Sequence, residues 1–412
     1  MTAAGAGGGR PATILVLSQV YPPDPASVGQ HMADAAEELV RRGHRVVVLT
    51  ADRGYDDPAL RYPARETRGG VEVVRLPFCS FGKASIAIRL LGGVSFVLQA
   101  IVRGAWLGRV DALLVSTSPP LASLAALALS GLRGAPVVYW VMDLNPDQMV
   151  ALGMMAPTAL PVRLFNCLNR RILRRARRVV VLDRYMAERV NAKVDVRDKL
   201  AILPPWPHED HLEDLPHAAN PFRAAHGLAG RCVLMYSGNH GPSNPIGTML
   251  EALGRLAGEP RLVGMFIGGG IGKREVDARR SDTIRSLPYQ PLAELRYSLS
   301  AADAHLVTVG DDIVGIVHPS KVYGALAVGR PIVLVGPARC HVADILAEAE
   351  VGWRVDHGDI EGAVRVCRAL LAASPEALAA MGARARALVA TRFSKAALCG
   401  RFCDLVEAAA RS

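Results

Sequence analysis

Thr13-Ile14-Leu15-Val16-Leu17 is followed by a proline-rich loop, Tyr21-Pro22-Pro23-Asp24-Pro25, then by a helical pattern from Gly29 to Arg42, Gly43, and Arg45-Val46-Val47-Val48-Leu49. An unbroken apolar run suits a strand covered on both faces of a parallel sheet; a half-exposed strand would alternate. The helical pattern stops at a glycine, the residue that most readily takes the left-handed backbone of a helix end. Strand, loop, helix and strand in that order form a crossover unit, which parallel sheets wind right-handed.

The rhythm continues downstream. Strands are predicted near 71–75, 111–115, 136–141, 179–182 and 201–203, with helices near 84–107, 120–132 and 158–177. Residues 204–230 are rich in proline, histidine and acid and read as an interdomain connection. A second series opens at Cys232–Tyr236, with strands near 261–267, 303–307, 331–335 and 351–355 and two closing helical segments near 375–390 and 395–410. The expected fold is α/β, with Rossmann-like domains over residues 12–205 and 206–394, a final helix over 395–412, and a loose tail over 1–11. Each domain is long enough to bury its own core.

Half of the 412 residues are apolar, which excludes a disordered chain. Lys and Arg number 48 against 38 Asp and Glu, a net charge of +10 that favours an anionic partner: nucleic acid, a membrane surface or a phosphorylated substrate. The 7 cysteines are scattered with no CxxC pair, which argues against a disulfide scaffold or structural zinc and fits a reducing cytoplasm. The first residues read as a tail and not as a signal peptide. Leu90–Val102 is apolar but short for a membrane span, and Ala112–Leu132 is interrupted by Pro119-Pro120; both read as soluble-domain elements.

Gly29 is a lone glycine where a dinucleotide fingerprint needs three, so NAD or FAD binding is weakly supported. Two glycine loops follow strands in the second half: Ser237-Gly238-Asn239-His240-Gly241-Pro242-Ser243-Asn244, and Gly268-Gly269-Gly270. Both stand where backbone N–H groups can face an anion. The segment His318-Pro319-Ser320-Lys321-Val322-Tyr323 reads as a helix start with a lysine in its first turn. A cation there opposes the helix dipole, which points to an anion such as a diphosphate nearby. His318 is a candidate catalytic group, with an ordinary loop histidine as its alternative. Asp143 follows a strand and can contact a sugar, act as a base, or cap the next helix. In the acid-free segment near 158–177, Arg163, Arg170, Arg174 and Arg177 share one helical face opposite Phe165, Leu168, Ile172 and Ala176. Such a helix suits an anionic membrane surface, and the scarcity of aromatics beside it argues against nucleic acid.

These segments, in this order, resemble the GT-B-fold glycosyltransferases of family 4, in the group that builds bacterial surface polysaccharides. The resemblance covers residues 13 to about 410, and it is carried by YWVMDLNPDQ, LMYSGNHG, FIGGG, LSAADAHLVTV and HPSKVYGALAVGRP. It implies two domains facing across a cleft, with the final helix crossing back to the first. It implies a nucleotide-sugar donor, UDP-linked by expectation, bound at Gly238, Asn239, Asn244, Gly268 and Gly269. Pro319, Ser320, Val322 and Tyr323 would also bind the donor, with the helix start at Ser320 toward the diphosphate, and Tyr289 would meet the base. Lys321 would neutralise the leaving group, with His318 and Asp143 as the other catalytic candidates. Asp24 and Gly29 would lie on the acceptor side, toward a lipid-linked saccharide at the inner face of the plasma membrane. No metal and no cofactor are expected, the nucleotide-sugar being a substrate. The positions of two family glutamates are occupied by Ile316 and Gly324, which keeps a non-catalytic nucleotide-sugar-binding subunit open as an alternative; a nucleotide-sugar epimerase, which can share the GT-B architecture, is the other.

Overall fold

The computed structural model describes residues 10–55, 57–82, 86–207 and 215–411. Residues 1–9 of the expected tail and 208–214 of the expected connection lie outside the described residues. The chain divides into two compact units, one of residues 1–204 with 396–412 and one of residues 205–395.

The first unit runs β1 (Thr13–Leu17), α1 (Ser27–Arg41), β2 (Arg45–Ala51), β3 (Arg65–Arg68), β4 (Val71–Leu76), α2 (Ile86–Trp106) and β5 (Ala112–Ser116). It continues through α3 (Ala122–Arg133), β6 (Val137–Trp140), α4 (Asp147–Ala151), α5 (Leu160–Arg175), β7 (Arg178–Val181), α6 (Arg184–Lys193) and β8 (Leu200–Ile202). Its sheet has the order β3-β4-β2-β1-β5-β6-β7-β8. Every pairing is parallel except β3 with β4. Ile14 to Leu17 are wholly buried, as a strand between two parallel neighbours must be. Strand β3 was not expected: Arg65-Glu66-Thr67-Arg68 has no apolar residue, because it is an exposed edge.

The second unit contains α7 (Pro221–Ala225), β9 (Cys232–Ser237), α8 (Gly247–Arg255), β10 (Leu262–Ile267), α9 (Lys273–Ala278), β11 (Ile284–Leu287), α10 (Leu295–Ser300) and β12 (Ala304–Thr308). Then come α11 (Lys321–Ala327), β13 (Ile332–Val335), α12 (His341–Ala349), β14 (Gly352–Val355), α13 (Ile360–Ala372) and α14 (Pro375–Leu388). The sheet is all parallel in the order β11-β10-β9-β12-β13-β14. The order turns between β9 and β12, and ligands of doubly wound sheets sit outside the strand ends at such a point. Residues 215–230 belong to this unit and are not a free connection. Asn220 caps α7 through Phe222 N and Arg223 N, while the buried Arg223 guanidinium donates to the carbonyls of Ala301, Leu228 and Arg231.

Helix α15 (Lys395–Ala410) completes the first unit. Phe402 packs on Trp140 at 4.2 Å between centroids, and Cys403 Sγ approaches the carbonyl of Ala35 in α1. Arg42, beside α1, donates to Asp404 at 2.7 Å, Glu407 at 3.3 Å and the Gly400 carbonyl at 3.1 Å.

Candidate functional site

In the second unit the site grows from the ends of β9 and β10. Their glycine loops meet backbone to backbone: a Cβ on Gly268 would overlap the Gly238 carbonyl. Both residues also have positive φ, 139° at Gly238 and 132° at Gly268, so glycine is needed twice over. The Asn239 side chain fits against Gly270, where a Cβ would strike its Oδ1. On the other side, Gly269 lies under the exposed ring of Tyr289, 3.1 Å from where a Cβ would stand.

Lys321 enters this cluster from the first position of α11. Its Nζ lies 3.6 Å from the place of a Cβ on Gly238 and donates to Tyr236 Oη at 2.6 Å. The Tyr236 hydroxyl in turn donates to the Asn239 carbonyl at 2.6 Å, so one buried phenol ties the lysine to the loop. Among the described residues no carboxylate pairs with Lys321. Burial alone pushes its ammonium down to about 7. His240 stacks on Tyr236 at 4.6 Å with both ring nitrogens shielded and unpartnered, and burial pushes it down to about 4, so its ring is neutral at pH 7.

Gly238, Asn239, Gly268, Gly269, Tyr289 and Lys321 are thus brought together, with Tyr236 and His240 added. Tyr236 reads in the sequence as one more apolar strand residue; its hydroxyl takes its meaning only from the lysine 85 residues away. Helix α11 starts at Lys321, as the segment predicts, but Ser320 at its N-cap has helical backbone and gives no side-chain cap. Asn244 lies half-buried in the same loop, its N–H on the Gly241 carbonyl. Pro319, Val322 and Tyr323 are buried, and the Tyr323 hydroxyl meets His318 Nε2 at 2.8 Å. His318 is itself buried and stacked on His341 at 3.8 Å, a packed group and not an open loop histidine.

In the first unit, Asp143 follows β6. It does not cap α4, whose N-cap position is Pro146. Its Oδ1 is shielded without a partner, and burial raises its carboxyl above the ordinary range against the opposing pull of Thr117, Arg89 and Asn145. Asp24 is spent on backbone, Oδ1 accepting from Ala26 N in its own loop at 3.0 Å and Oδ2 from Tyr55 N, past β2, at 2.7 Å. Gly29 is the third residue of α1 and does not open it; a Cβ there would stand 3.0 Å from Tyr21 N and the Val20 carbonyl. It lets the helix start approach that loop.

Helix α5 keeps the amphipathic pattern read from sequence: Leu168, Ile172 and Ala176 are buried, Phe165 and Arg170 half-buried, and Arg163, Arg174 and Arg177 exposed. Arg175, on the apolar side, turns to Ser130 Oγ at 3.1 Å.

Residues 27–206 match the family model described as glycosyl transferase 4-like domain. WbjE of Pseudomonas aeruginosa, named a glycosyltransferase, is 28% identical over 255 residues, 61% of this chain; the match spans 64% of that relative's own length. WcaI of Escherichia coli K12, named for glycosyl transfer in colanic acid biosynthesis, is 26% identical over 344 residues, 79% of this chain and 83% of that one. Among solved structures, Anabaena Alr3699/HepE in complex with UDP and glucose superposes with a TM-score of 0.71 at 16% identity, covering 96% of this chain and 100% of that one. WaaG, a glycosyltransferase involved in lipopolysaccharide biosynthesis, does so with a TM-score of 0.69 at 17% identity, covering 95% and 99%. These likenesses establish the two-domain GT-B fold.

Proposed function

We propose that this chain, similar over residues 27–206 to the glycosyl transferase 4-like domain, is a glycosyltransferase of that type and transfers a sugar from a nucleoside-diphosphate donor to a hydroxyl of a lipid-linked saccharide during surface-polysaccharide synthesis. The carrying observation is Lys321, held by Tyr236 beside Gly238 with no carboxylate of its own among the described residues. A diphosphate oxygen supplies the missing anion. In the reaction the bond from the sugar's anomeric carbon to the diphosphate oxygen breaks, the acceptor oxygen bonds to that carbon on the same face, with retention, and the acceptor's hydroxyl proton passes to the departing diphosphate oxygen. Charge accumulates on the departing oxygen, where Lys321 and the loop N–H groups stabilise it. This arrangement asks for no metal ion.

The sugar lies toward Gly268 and Gly269, and Tyr289 supplies a flat, exposed ring for the base. That UDP occupies the related Anabaena fold supports UDP as the first donor to test. In the first unit, Asp143 holds the acceptor hydroxyl through its unpartnered Oδ1. The arginine face of α5 meets the anionic inner surface of the plasma membrane, where a lipid-linked acceptor resides.

The test is incubation of the protein with a panel of nucleotide-sugars and a polyprenyl-diphosphate saccharide, following nucleotide release and product anomer. One donor should give a longer saccharide with its donor configuration retained. Donor binding with no transfer to any lipid-linked acceptor would replace this reading with the non-catalytic subunit, and an epimer formed from donor alone with the epimerase.

A further inference from the structure

Helix α2 departs from the rule that a surface helix is apolar only on its inner side. The inner side, Gly92, Phe96, Val97, Ala100 and Gly104, is buried, with Gly104 close against Leu129 of α3 and Leu15 of β1. The outer side is apolar as well: Leu90, Leu91, Val94, Leu98 and Val102 lie open, and Trp106 at the helix end is 86% exposed. Positions 90, 94, 98, 102 and 106 recur every four residues and so form one continuous ridge. By length and composition Ile88–Trp106 could cross a bilayer, although its inner face is committed to the sheet. Reading Leu90–Val102 as an ordinary soluble-domain element accounts for that inner face only.

The surroundings of the ridge say what covers it. Helices α2, α3 and α5 pack side by side, and together they hold eight arginines (two, one and five) with no Asp, Glu or Lys. Past the end of α5 a cavity of about 430 Å³ is lined by Arg174, Arg175, Arg177, Arg178 and Lys199 against a single acid, Asp198. A second copy of this chain seated on the ridge would bring two such arginine fields together, which repel. An anionic bilayer satisfies both features at once, its acyl chains taking the ridge and its phosphates the guanidinium groups.

We propose that α2 is an in-plane membrane anchor, its Leu90–Trp106 ridge sunk into the acyl boundary of an anionic bilayer and the arginines of α5 seated on the phosphates. This rests on the membrane-surface reading of α5 and moves the main attachment from charge to buried apolar area. Arg89 of α2 is near enough to Asp143 to act on its carboxyl, so the anchor's first turn adjoins the acceptor side.

The full chain is mixed with phosphatidylcholine vesicles with and without phosphatidylglycerol. Trp140 and Trp206 are buried and Trp353 half-buried, so loss of aqueous quenching on vesicle binding reports mainly Trp106. Wild type should bind the anionic vesicles with Trp106 shielded. The pair Leu98→Asp with Val102→Asp should lose about tenfold or more of vesicle affinity with its circular dichroism and UDP binding unchanged. Wild-type binding that the pair leaves intact, with Trp106 still open to quencher, would overturn the anchor while leaving the charge-based membrane reading in place. Failure of wild type to bind either vesicle would overturn both. Self-association abolished by the same pair would assign the ridge to a second copy instead.

Discussion

The strand ends of the two units hold opposite charges in the same predicament. In the second unit Lys321 is a half-buried cation with a phenol for a partner. In the first, Asp143 is a carboxyl group with one oxygen shielded and unpartnered. Either arrangement is unfavourable in an empty protein, since burial penalises the charged form. Neither comes from loose construction, because comparable groups nearby are fully engaged: Asp24 with two backbone N–H groups, Arg42 with Glu38 and α15. Strain of this kind collects where a ligand completes the structure. On the proposed reading a phosphate meets the lysine, and a sugar hydroxyl meets the shielded Oδ1 of Asp143.

Removing the cation should do most to break this contrast. Lys321→Met should lower turnover by on the order of a hundred- to a thousandfold, as loss of a preorganised charge at a leaving group does; steady-state nucleotide release measures it, and near-normal turnover would leave Lys321 without its role. Asp143→Asn keeps the shape but alters the hydrogen bonding, so a smaller loss of about ten- to a hundredfold is expected. It should fall on acceptor-dependent transfer and spare UDP binding by calorimetry.

The pH dependence sharpens the comparison from the lysine side. With its ammonium pushed down to about 7, Lys321 must take up a proton to hold a diphosphate above that pH. UDP affinity should therefore weaken above pH 7, by at most about tenfold per unit. Stability of the empty protein should move the other way. The unfolded chain keeps this lysine protonated up to its ordinary value of 10.5 while the folded one releases the proton near 7, so the unfolded state binds more protons in that window and stability rises with pH across it. Lys321→Met should flatten both trends. The smallest effect belongs to Tyr236→Phe, which removes the phenol's two hydrogen bonds: about a fivefold weakening of UDP is expected, with the midpoint of the affinity profile displaced.

Much of the fold was legible because buried parallel strands announce themselves as apolar runs, and both glycine loops and Lys321 stand where such a sheet presents them. Sequence reasoning missed what tertiary contact alone decides. Strand β3 has no apolar signal because it is an exposed edge. The polar run at 215–230 looked like a connection because Arg223 and Asn220, polar in sequence, act as internal ties. Tyr236 and His240 were seen and passed over, since a strand-end aromatic signals packing until its neighbour across the fold is known. The outer face of α2 was hidden by composition, which cannot tell a helix apolar toward the core from one apolar on both sides.

Helix α15 has a consequence for how the molecule is made. Phe402, which packs on Trp140, and the acids that meet Arg42 and His44 come from residues that follow the whole second unit in sequence. As synthesis proceeds from the N-terminus, the first unit leaves the ribosome with the seat of Phe402 empty and must wait for the whole second unit before it is covered. The unit begun first is completed only after the other, and a chain cut between the second unit and α15 would hold both sheets with the first one open.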